Sequence, residues 1–159
     1  MSGMDKGRQS SGILFFVLAL SVLILDQATK ILAVNTIRPY ESIRILPFFQ
    51  LVNVRNQGAA FGLFQSAGNT FFIIISILAI VFIFFLILKN SEDRLSLSII
   101  LGGALGNLLD RVRLGHVIDF LDFYVGKYHW PAFNLADSAL TAGIVLLLIR
   151  TVINSRLPK

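Results

Sequence analysis

The sequence predicts a membrane protein, mainly α, built as a four-transmembrane-helix bundle with a small extracytoplasmic β-sheet between helices 1 and 2. Three observations lead there. Of the 159 residues, 55% are hydrophobic and only 14% charged, where a soluble domain carries about 25% charged residues. Four apolar stretches are long enough to cross a bilayer. The segment between the first two carries two short runs rich in Ile, Val and Phe. A chain of this length is expected to be a single domain, 1–159. The mass left outside the lipid is too small for an independent soluble core.

The first span is expected at about 12–34, apolar through Leu25 and carrying Asp26 and Lys30 near its far end. Lys6 and Arg8 precede it as in a secretory signal, but no small-x-small cleavage site follows, so it reads as a retained span. The second, about 70–88, holds no charge, Gly or Pro. As a helix rising about 1.5 Å per residue it matches a hydrocarbon core of roughly 30 Å. The third, about 95–110, is weaker. Its Gly102 and Gly106 have the small-xxx-small spacing that permits close helix approach in lipid, which places it centrally. The fourth, about 135–153, starts polar with Asp137 and Ser138 and is purely apolar from Ala142 to Ile149.

The connections, about 35–69 and 111–134, differ in character. Ser42 to Leu46 and Phe49 to Val54 read as short strands bounded by Pro47 and the Asn56-Gln57-Gly58 turn. In the second connection Phe120, Phe123, Tyr124, Tyr128 and Trp130 suit the headgroup layer, where amphipathic rings concentrate. Four spans put both termini on one side. The terminal segments and the 89–94 turn carry as many basic residues as the two long connections, on far fewer positions. By density the termini are cytoplasmic.

The net charge of +5 comes from scattered Lys and Arg, not from a basic run with polar aromatics, so phospholipid headgroups explain it better than nucleic acid. With no cysteine, disulfides, thiol nucleophiles and cysteine metal sites are excluded. His116 and His129 fit no metal-binding spacing and read as interfacial.

The topology brings the end of span one, the end of span three and the start of span four to the same outer face. The polar residues of the spans fall at those places: Asp26 and Lys30; Asn107, Asp110 and Arg111; Asn134 and Asp137. Asp119 lies in the loop between the last two spans. Ionisable groups within spans are costly and usually pair or do chemistry. Each has a plainer reading. Asp26 and Lys30, at i, i+4 spacing, can be an ion pair at a helix end. Arg111 can snorkel to headgroups with Asp110 as its partner. Asn107 can bond across to a neighbouring helix or to substrate. Asn134 with Asp137 resembles an N-cap with an acidic third residue. Asp119 is harder to dismiss. Its setting, Val117-Ile118-Asp119-Phe120-Leu121, makes an unpaired carboxylate expensive, and a second carboxyl sharing a proton would resolve that cost. In an extended segment Asp122 would point to the opposite face.

Five stretches taken together carry a resemblance: Asp26-Gln27-Ala28-Thr29-Lys30; Asn56-Gln57-Gly58-Ala59-Ala60-Phe61-Gly62; Gly102 through Arg111; Gly115-His116-Val117-Ile118-Asp119-Phe120; and Phe133-Asn134-Leu135-Ala136-Asp137-Ser138. In this order the chain from Asp26 onward resembles the lipoprotein signal peptidase family, also called signal peptidase II. Ile118 is among the mild departures. The resemblance implies a bacterial aspartic endopeptidase of the inner membrane that removes signal peptides from prolipoproteins by cutting just before a diacylglyceryl-modified cysteine. It implies that Asp119 and Asp137 are the catalytic dyad, and that Asn56, Gly58, Asn107, Arg111, Asn134 and Ala136 line or shape the substrate site. Asp26 and Lys30 would support it, in a monomer that needs neither metal nor organic cofactor.

Three other readings remain at this stage. A small transporter or proton-conducting protein would also place polar residues inside a bundle. A serine-lysine peptidase would use Ser138 with Lys30 or Lys127. A non-catalytic assembly or lipid-binding protein would cleave nothing.

Overall fold

A computed structural model describes the backbone over residues 3–58, 68–89 and 93–156, with side chains from residue 13 onward except that of Arg156. Ala59 to Gly62, and the side chains of Lys6, Arg8, Arg156 and Lys159 used for orientation, lie outside the described residues. The elements run α1 (Gly3–Thr36), β1 (Ser42–Leu46), β2 (Phe49–Asn56), α2 (Gly68–Lys89), α3 (Arg94–Leu114), β3 (Val117–Val125), β4 (Tyr128–His129) and α4 (Leu135–Arg156). Among the described residues four helices are long and apolar enough to span a membrane.

The most and the least apolar of these helices differ sharply in burial. The most apolar, α2, is only 11% buried inside the protein, as is α4, whereas α3, the least apolar, is 56% buried. In lipid this is the stable order, because tails solvate Leu, Ile and Phe while polar and small residues must find protein partners. α3 packs against the other three helices, as its glycines predicted. A methyl group at Gly102 would lie 2.6 Å from the Ala19 carbonyl oxygen of α1, and one at Gly103 equally close to the Ala136 carbonyl oxygen of α4. The seam therefore faces two helices at once. α3 is longer than its hydropathy indicated. It runs on to Leu114 and stops at Gly115, which is left-handed (φ 78°) and donates its N–H to Arg111 O, a closure that favours glycine.

The sheet is larger than expected. Strands β1 and β2 form as anticipated, but two further strands come from the second connection, giving the antiparallel order β1-β2-β3-β4. The aromatic residues assigned to the headgroup layer divide accordingly. Tyr128 and Trp130 are exposed, whereas Phe120 and Tyr124 are buried. Phe120 packs with Ala33 and Ile37 at the end of α1. That contact and the Asn53 Nδ2 to Ile37 O hydrogen bond seat the sheet on the bundle. The first four residues of β3 are all buried, since one face meets the helices and the other is covered as well.

Candidate active site

Asp119 is delivered by β3, opposite Val54 of β2, and is almost fully buried at 1% exposure. Its carboxylate takes Asn56 Nδ2 on Oδ2 at 2.8 Å and Asn134 Nδ2 on Oδ1 at 2.7 Å. Asp137 is delivered by the first turn of α4. It accepts Asn107 Nδ2 on Oδ1 at 2.7 Å and the Asn134 N–H on Oδ2 at 3.3 Å. Asn134 Oδ1 in turn accepts the Asp137 N–H at 2.9 Å. This reciprocal pair is a capping box, the N-cap geometry anticipated from the sequence. The same asparagine thus caps α4 and bonds both carboxylates.

Burial pushes the Asp119 carboxyl up from 3.8 to about 7, and the negative charge of Asp137 adds to the rise. The donations from Asn56 and Asn134 and the charge of Lys30 act the other way. Desolvation wins.

A buried charged layer lies behind the two aspartates. Lys30 Nζ stands 2.8 Å from Asp26 Oδ2, 2.9 Å from Asp110 Oδ2 and 3.0 Å from Asn107 Oδ1. All three ammonium hydrogens therefore have acceptors. Asp26 Oδ1 accepts the Ala136 N–H at 2.8 Å, satisfying one of the donors a helix start leaves open. The plainer reading in which Asp110 serves only as the partner of Arg111 is not what forms. Asp110 bonds Lys30, Gln27 Nε2 and the Ile118 N–H, while Arg111 Nη2 donates to Gly58 O at 2.7 Å. Adjacent residues on a helix diverge by about 100°, so neighbours in sequence seldom share a partner. Gln27 is a participant the residue-by-residue reading passed over. It sits inside the Asp26-to-Lys30 stretch, and its polarity in an apolar span was the available signal.

A cleft of about 830 Å³ opens beside this network. Asn56, Gly58, Asn107, Arg111 and Asp137 line it, together with apolar groups that include Trp130, Phe133, Leu140 and Val145. Asp119 stands one hydrogen bond behind its wall, through Asn56. Asn134 and Ala136, both 0% exposed, and Asp26 and Lys30 are buried behind it too. Ser138 Oγ donates to Asn134 O. Lys30, with every proton engaged, offers Ser138 no base. Asp122 lies on the opposite face of β3, as its spacing from Asp119 required, and bonds His129 Nδ1 and Gln50 Nε2.

Comparison with known proteins identifies the family and the fold. The family model described as signal peptidase (SPase) II matches residues 18–153. The lipoprotein signal peptidase of Thermodesulfovibrio yellowstonii is 44% identical over 82% of this chain and 89% of its own length. That of Cupriavidus necator is 46% identical over 91% of this chain and 86% of its own. A solved bacterial membrane enzyme superposes with a TM-score of 0.84 at 34% identity, covering 92% of each chain. A family model that takes in all four spans, relatives alike over nearly their whole length and a shared fold leave one assignment: the chain belongs to the signal peptidase II family.

Proposed function

We infer that this membrane peptidase removes signal peptides from prolipoproteins, and we propose that Asp119 and Asp137 are the groups that cut. One observation supports the assignment above the rest: two carboxyls from separate segments share the partner Asn134 beside an open cleft. Two acids held this close titrate as a unit and cannot both ionise cheaply. Asp119, lifted by burial, is the member that holds the proton at rest. Asp137, at a helix start and bonded by Asn107, is the anion.

Peptide hydrolysis follows from that asymmetry. Asp137 takes a proton from a water in the cleft, and the water oxygen bonds to the scissile carbonyl carbon. Asp119 gives its proton to the carbonyl oxygen as the tetrahedral centre forms. Collapse of that centre breaks the C–N bond. Asp137 passes its proton to the departing amine, and Asp119 regains its own. The Asn56, Asn107 and Asn134 amides keep both carboxyls in place throughout.

The apolar half of the cleft suits a lipidated chain, and the cut falls just before the diacylglyceryl cysteine. The density of basic residues around the termini supports a multi-pass inner-membrane protein with both ends cytoplasmic and the site near the outer face. Among the described residues Ala19, Ile87, Leu97 and Leu101 form an apolar layer inside the bundle, which argues against transport. The test is incubation of the purified protein with a diacylglyceryl prolipoprotein, the cut located by mass spectrometry. Release of the signal peptide before the modified cysteine is expected. An intact substrate, or a cut elsewhere, refutes the reading.

A further inference from the structure

α2 lends no side chain to the two aspartates among the described residues, yet its first turn grips a residue of the cleft. Arg111, at the end of α3, is held at three points, two of them by α2. Its guanidinium carbon lies 4.3 Å from the centre of the Phe72 ring. Its Nη2 donates to Gly58 O. Its backbone oxygen accepts Asn69 Nδ2 at 2.9 Å as well as the Gly115 N–H at 3.1 Å. The side chain is only 7% exposed, and its Nη1 is buried without a hydrogen-bond partner among the described residues.

A guanidinium carries five N–H donors and gains from a flat π face beneath it. A buried donor with no acceptor is costly, so the group is stable in this pose only while its other contacts hold it. Phe72 fixes the plane of the guanidinium; Asn69 fixes the height of the helix end that bears it. We propose that Asn69 and Phe72 are positioning residues, which hold Arg111 against the cleft so that its unused N–H meets an oxygen of the bound substrate. This rests on the peptidase reading above. Its consequence is for substrate binding rather than for the bond-breaking step, since neither residue touches Asp119 or Asp137.

The test replaces Phe72 with phenylalanines of increasing fluorination, which drain the negative face of the ring while keeping its shape. KM for a lipidated prolipoprotein is expected to climb stepwise, to about three- to tenfold for the most fluorinated ring, with kcat held within about twofold. Phe72→Leu and Asn69→Ala are expected to raise KM alike, and Phe72→Trp to keep it near the starting value. In an Arg111→Met background fluorination is expected to change nothing further, because its effect passes through the guanidinium. A KM indifferent to fluorination, or an equal effect with and without Arg111, overturns the positioning role while leaving the peptidase intact. Failure of the unmodified chain to cleave overturns both.

Discussion

Asn134 donates its Nδ2 to Asp119 Oδ1 at 2.7 Å from a position where its backbone is already committed as the cap of α4. A cap residue has little freedom, because its side-chain oxygen must meet the N–H three residues on. Here that oxygen meets the N–H of Asp137. The sheet that carries Asp119 and the helix that carries Asp137 are therefore brought into register by one amide, whose two ends cannot be exchanged without breaking both contacts.

Asp119→Asn and Asp137→Asn keep the shape and lose the proton chemistry. Each is expected to lower cleavage by at least about a hundredfold, the lower bound for positioned acid or base groups. Expression and helical content should match the parent. Product counted by mass spectrometry in either purified variant at more than a few per cent of the parent rate removes that residue from the mechanism.

The pH dependence follows from Asp119. Its carboxyl titrates near 7 in the folded protein instead of near 3.8, so the proton needed by the carbonyl oxygen is lost as pH rises through about 7. Cleavage is expected to fall on that limb of the profile of kcat/KM. Stability moves in the same direction, because the folded chain binds the proton more tightly than the unfolded one. Its contribution is fully present below about 3.8 and lost as pH passes 7. A profile flat from pH 6 to 9 contradicts the assignment of the proton to Asp119.

Lys30→Met removes the cation between Asp26 and Asp110 and leaves two carboxylates buried together. Breaking such a pair is expected to cost about 3–5 kcal/mol, read as a lowered midpoint of thermal unfolding in detergent. Replacing all three by apolar residues should recover part of that loss without restoring cleavage, since Asn107 and Ala136 would still lack their partners.

Gly103→Ala places a methyl 2.6 Å from the Ala136 carbonyl oxygen. The obstacle is backbone, so α3 and the start of α4 must separate. A loss of about 1–3 kcal/mol is expected. Asp137 rides on that turn, so cleavage should drop further than stability alone explains. A variant cleaving at the parental rate while folded shows that the close approach does not matter to the site.

Four spans, the capping pair Asn134 and Asp137, and the close-packing glycines were legible in the sequence, because each depends on residues within a few positions of one another. Hydrophobic length, cap chemistry and small-residue spacing act along a single helix and need no knowledge of what lies opposite. Only the tertiary structure decided who pairs with whom. The plainer reading paired Asp110 with its neighbour Arg111, and the structure pairs it with Lys30 and Gln27 of α1. The run from Val117 to Val125 reads equally well as an interfacial belt or a strand, until β2 presents a free edge to it. Buried charges choose partners by distance and desolvation across elements far apart in the chain, and those terms exist only once the helices and the sheet have come together.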